Sequence, residues 1–170
     1  MKNAIANLEA RSMQNNLIFD IPDIPESKDE NTENIVLDFI ENKMLIDKNE
    51  VRIEVAHRYG PHIRGQHRSI VCKFESRKDK DKVRRNGKHL KGTDYQVREQ
   101  YPKVINDRRR KLYPYMKKAR SLGQKAFLNK DVLRVDGRSY TVDTIGKCHI
   151  KLDDEGIPEA ETMETGGAQV

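Results

Sequence analysis

Arg58, Arg64 and Arg68 edge a polar loop, Lys82, Arg84, Arg85 and Lys88 crowd a second segment, and Arg108, Arg109, Arg110 and Lys111 stand in succession. Cations grouped in this way do one kind of chemistry: they neutralise phosphates, with weak sequence preference and an affinity that falls steeply with salt. Residues 1–50 hold 5 Lys/Arg against 11 Asp/Glu, residues 51–150 hold 27 against 10, and residues 151–170 hold 1 against 6. The formal net charge of +6 therefore conceals a middle segment with an excess of 17 positive charges. A solvated face usually mixes signs, so this excess points to a polyanion: nucleic acid first, with an anionic membrane surface as the competing class.

Other chemistry finds little footing. There is no Gly-rich phosphate loop, no Ser/His/Asp order and no spaced carboxylate cluster, so the chain reads as a non-enzyme without a cofactor. His57, His62, His67 and His89 together with Cys72 raise the question of zinc, but no Cys-x-x-Cys pair accompanies them, and no metal site is expected. These histidines read as RNA-contacting or simply surface residues. Cys72 and Cys148 are the only cysteines, which fits reduced thiols in an intracellular protein. No stretch approaches the roughly 18 to 20 apolar residues of a membrane span, and no signal-peptide run is present. Tyr113, Tyr115 and Tyr140 stack on bases in one reading and pack in the core in the other.

The elements that must position these residues follow from periodicity. Residues 1–14 read as a helical lead-in or the end of a coiled coil. Asn16–Ile21 reads as a strand, and Asn31 or Thr32 caps a helix whose Ile35, Val36, Phe39, Ile40 and Met44 repeat at three- and four-residue spacing. Alternation over Val51, Ile53 and Val55 predicts a strand that buries these three and carries His57 and Arg58 onto the open face. Ser69–Phe74 reads as a central strand, Ser76 with Asp79 as a capping box before a basic helix, and 95–97 as a short edge strand. The order strand, helix, strand, strand, helix, strand predicts an α+β, RRM-like sandwich, the ferredoxin-like split βαβ arrangement, over residues 15–99. Phe19 and Phe74 read more readily as core than as stacking platforms, which leaves affinity to the basic groups. A helix from Pro102 to Leu122 and a hairpin with an Asp136-Gly137 turn predict a small C-terminal RNA-binding domain over 100–142. The three basic groups would then line a cleft between the two domains. Residues 143–170 read as an acidic disordered tail.

Several short runs, in order, resemble one family. Leu8-Glu9-Ala10-Arg11-Ser12 before Asn15-Asn16-Leu17, then Ile21-Pro22, Glu30-Asn31-Thr32-Glu33, Ala56-His57-Arg58, Ile70-Val71-Cys72-Lys73-Phe74, Lys78-Asp79-Lys80 and Leu90-Lys91-Gly92-Thr93 are similar to the RNA-recognition domain of the LINE-one retrotransposon first-open-reading-frame protein. Arg109-Arg110-Lys111-Leu112 before Pro114, with Ala119-Arg120, Gly123 and Val135-Asp136-Gly137, resembles its C-terminal domain. Two positions depart: Ile18 stands where the family often has Arg, and Asn129 where it often has Tyr. The resemblance implies a nucleic-acid chaperone that packages retrotransposon RNA into cytoplasmic ribonucleoprotein particles, with the nucleus also open, and acts in retrotransposition. It implies a homotrimer held by a preceding coiled coil, this chain alone being compatible with a monomer. It further implies RNA contacts at Asn16, Arg58, Arg84 or Arg85, and Arg109 or Arg110. The expected partner is single-stranded RNA, with DNA bound by the same chemistry, and no membrane; the alternative is an RRM-like protein-interaction scaffold for an acidic partner.

Overall fold

A computed structural model of the protein describes residues 2–152. The fold is α+β, with two antiparallel sheets and helices packed on them. Two compact units emerge, one of residues 11–100 and one of residues 2–10 with 101–152.

The unit of residues 11–100 contains β1 (Asn16–Asp20), α2 (Thr32–Met44), β2 (Ile53–Tyr59), β3 (Ser69–Phe74), α3 (Arg77–Arg85) and β4 (Gln96–Glu99); α1 (Lys2–Ser12) precedes them. The sheet order is β2-β3-β1-β4, every pair antiparallel. Asn31 caps α2, its side-chain oxygen accepting from Asn34 N at 2.9 Å. Ser76 caps α3 by accepting from Asp79 N at 3.1 Å. The carboxylate of Asp79, however, accepts from Arg52 N at 3.1 Å, and so ties α3 to the segment leading into β2. One face of the sheet presents Leu17, Phe19, Ile70, Cys72, Phe74 and Val97 to Val36, Phe39, Ile40, Met44 and Val83 of the helices. Phe19 and Phe74 are therefore core residues, and Phe19 meets Phe39 edge-on at 6.0 Å. Burial pushes the Cys72 thiol pKa up, in keeping with an inert, packed side chain.

The alternation expected through Val55 does not hold. A β-bulge separates Ile53, opposite Phe74, from Val55, opposite Lys73, so the extra residue reverses the phase of β2. Val55 is 43% exposed while Ala56 is buried, and Arg58 follows Ala56 onto the helix-covered face. Only His57 lies on the open face as expected. β4 also sits at Gln96–Glu99, later than the 95–97 expected, and Tyr95 packs against Phe39 at 5.2 Å instead.

In the other unit, α4 (Lys103–Ser121) lies on a sheet of β5 (Ala126–Asn129), β6 (Val132–Val135) and β7 (Arg138–Tyr140). The hairpin expected at Asp136-Gly137 is present, the turn taking φ of 47° and 85° and pairing β6 with β7, and β5 pairs with β6 as a third strand. Gly123, at φ 77°, ends α4, with Gln124 N donating to Ala119 O at 3.0 Å. Leu112, Met116 and Ala119 of the helix pack on Ala126, Leu133, Val135 and Tyr140. The fold also runs past residue 143, where an acidic tail was expected: a 3-10 turn at Ile145–Lys147 brings Cys148 and Ile150 into this core. Two apolar side chains in a stretch without a strand or a longer helix establish no period, so their burial has no local signal. Residues 153–170 lie outside the described residues, and with them most of the expected tail.

Candidate nucleic-acid interface

The cations divide into those engaged inside the fold and those left facing outward. Arg58 belongs to the first kind. Its Nε and Nη2 donate to Glu30 Oε1 and Oε2 at 2.7 and 2.9 Å, and its Nη1 donates to Arg68 O at 2.8 Å. The Arg58 side chain is 5% exposed and that of Glu30 11%. Arg68 makes a second such fork on Glu26, with Nε donating to Oε2 at 3.1 Å, and a further bond from Nη1 to Gly60 O at 3.3 Å. The hydrogen bond from Arg58 holds the Glu30 carboxyl below its ordinary pKa, and that from Arg68 does the same for Glu26. This four-residue cluster pins the loop between β1 and α2 against β2 and the start of β3. Arg58 follows from the reversed phase of β2: it points to the side where α2 begins, and there it needs a carboxylate.

Arg64, by contrast, is exposed in the loop between β2 and β3 and has no hydrogen-bond or ion-pair partner among the described residues. His57 stands on the open face of the sheet, its Nδ1 2.9 Å from Arg58 O. Tyr59, two residues on and 43% exposed, shares that face. Its parity with His57 was the signal that would have found it. Asn16 lies on the same face opposite Lys73; its Nδ2 donates to Gln100 Oε1 at 2.7 Å, and its Oδ1 is buried with no partner among the described residues.

On α3 and the 3-10 turn that follows it (Asn86–Leu90), Val83 and Leu90 face the core. Lys82 pairs with Glu50, and Arg84 is half-buried, its Nε without a partner among the described residues. Lys78, Arg85 and Lys88 are exposed, and no acidic side chain meets them among the described residues. This side of the unit is the helix-covered side, so these cations and the side chains of His57 and Asn16 belong to opposite faces of the sheet.

In the other unit, the run from Arg108 to Lys111 also splits, as successive positions on a helix must. Arg108 Nη1 donates to Asp131 Oδ2 at 2.9 Å and its Nη2 to Asn3 Oδ1 at 2.8 Å, tying α1 and the β5–β6 turn to α4. Arg109 donates to Lys130 O and lies 4.8 Å from the Tyr101 ring centroid, a cation–π contact. Arg110 is exposed with a loose pairing to Asp107 at 3.5 Å, and Lys111 is exposed without a partner among the described residues. Tyr113 and Tyr115 are half-buried against the core, Lys117 reaching within 5.9 Å of the Tyr113 ring, and Tyr140 is buried. Among the described residues no His, Cys, Asp and Glu side chains gather as a metal-binding group, and no helix is long and apolar enough to cross a membrane.

No protein-family model matches the chain, and no curated protein does. The reading of the site rests on its residues.

Proposed function

We propose that this protein binds single-stranded RNA, chiefly through backbone phosphates, and acts as a nucleic-acid chaperone without catalytic activity. The observation that carries this reading is a group of exposed cations that no carboxylate answers among the described residues: Arg64, Lys78, Arg85 and Lys88 in one unit, Lys111 in the other, with Arg110 only loosely paired to Asp107. Where the fold needs a cation for itself, as at Arg58, Arg68 and Arg108, it supplies a carboxylate. The unanswered ones are the part of the basic excess that structure does not use. The strand order β2-β3-β1-β4 under two helices supports an RRM-like unit, and its buried Phe19 and Phe74 support binding by charge ahead of stacking on the central strands. Many weak, salt-screened contacts that release quickly lower the repulsion between strands and let duplexes exchange. The family resemblance adds the biological setting: packaging of retrotransposon RNA in a ribonucleoprotein.

The test is fluorescence anisotropy of a labelled single-stranded RNA across a salt series, with wild type beside Arg85→Ala/Lys88→Ala and Arg110→Ala/Lys111→Ala. Each lost phosphate contact lowers the slope of log affinity against log salt by about 0.7 for a single strand, so each double variant loses up to about 1.4. No binding at low salt defeats the reading and returns the basic surface to a scaffold for an acidic protein.

A further inference from the structure

The three-stranded sheet has two unlike faces. Ala126, Leu128, Leu133, Val135 and Tyr140 turn toward α4 and the core. Lys125, Phe127 and Asn129 alternate with them and turn away. The register places Phe127 directly opposite Arg134 on β6, and Arg134 opposite Ser139 on β7. All three are exposed, and Phe127 keeps 38% of its surface in water. The Arg134 guanidinium has no hydrogen bond or ion pair among the described residues, and the Lys125 side chain is likewise exposed and unpaired. The Asp136 carboxylate accepts from the backbone N of Lys125 at 2.9 Å and so is held at the turn.

An aromatic ring with more than a third of its surface left wet on an ordered strand, flanked by cations and by a serine hydroxyl, keeps apolar surface that its own fold does not bury. Its π-face is suited to a flat, unpaired ring, and the cations beside it to the phosphates that join such rings. We propose that the exposed face of β5–β7 is a base-stacking platform, on which an unpaired nucleobase of single-stranded nucleic acid lies on Phe127 while Arg134 and Lys125 meet its phosphates. The inference rests on the proposed RNA binding and adds to it a contact that recognises bases, and therefore strandedness. Cross-strand neighbours lie about 5 Å apart, so the guanidinium reaches a phosphate attached to the stacked nucleotide.

The chain has no Trp, so Phe127→Trp introduces a single indole whose emission reports stacking. Labelled oligouridine, the matching duplex, and inorganic polyphosphate serve as probes, with anisotropy following binding and the indole following the platform. The platform predicts quenching by oligouridine, much less by the duplex, and none by polyphosphate at matched saturation. Phe127→Ala should weaken oligouridine binding about 5- to 150-fold and leave polyphosphate affinity unchanged, with circular dichroism confirming the fold. Oligouridine that binds by anisotropy with no change in indole emission and full affinity for F127A overturns the platform and leaves the RNA reading intact; no oligouridine binding to wild type overturns both.

Discussion

Replacing Arg58 with methionine removes one partner from a fork whose other half, Glu30, is 11% exposed. The carboxylate loses two hydrogen bonds, at 2.7 and 2.9 Å, and the carbonyl of Arg68 loses a third at 2.8 Å. Stranding one member of a buried ion pair costs about 3–5 kcal/mol, whereas replacing both members by apolar side chains is often close to neutral. For a unit the size of residues 11–100, each kcal/mol lowers Tm by about 4–8 °C, so R58M should melt at least about 12 °C below wild type. Urea denaturation at pH 7 of wild type, R58M, E30M and the double variant measures the coupling. The double variant is expected to be less destabilised than the two single variants summed, by about 2 kcal/mol or more. RNA affinity, corrected for the folded fraction, should change less than twofold. An R58M protein within about 0.5 kcal/mol of wild type, or one that keeps its stability and loses RNA affinity, refutes the structural role and makes Arg58 the phosphate contact that the family resemblance implies.

Three more outcomes follow from the same geometry. Glu26 and Glu30 have folded pKa values lowered by their arginines, so the stability they contribute is fully present above the unfolded carboxylate value of about 4.3 and is lost as pH falls through the folded values. Wild type should therefore exceed E26Q/E30Q in urea midpoint at pH 7, and the gap should close below about pH 4; a constant gap would contradict the assignment. The phase reversal in β2 predicts that V55K stays within about 0.5 kcal/mol of wild type while A56K, which buries a charge, loses more than about 2 kcal/mol; equal effects would remove the bulge. Ile150→Ala should destabilise the unit containing α4 by about 2–5 kcal/mol, read by thermal denaturation, and an unchanged melt would place residues beyond 143 outside the core.

Local periodicity and capping chemistry determined most of the elements. The three- and four-residue spacing of α2, the caps at Asn31 and Ser76, and the turn at Asp136-Gly137 each depend on neighbours within a few residues, and each stands where those neighbours put it. The uneven charge likewise needs no fold to be seen. Tertiary structure alone decided which cations are available. A bulge shifts β2 by one residue and thereby turns Arg58 from the open face to Glu30, 28 residues away; helix geometry and a carboxylate 23 residues away set Arg108 apart from Lys111. The exposed ring of Phe127 and the packing of Ile150 were settled in the same way, whereas the burial of Phe19 and Phe74 was already the favoured reading of the sequence. An ion pair or a packed ring joins residues distant in the chain, and composition records that both partners exist without recording that they meet.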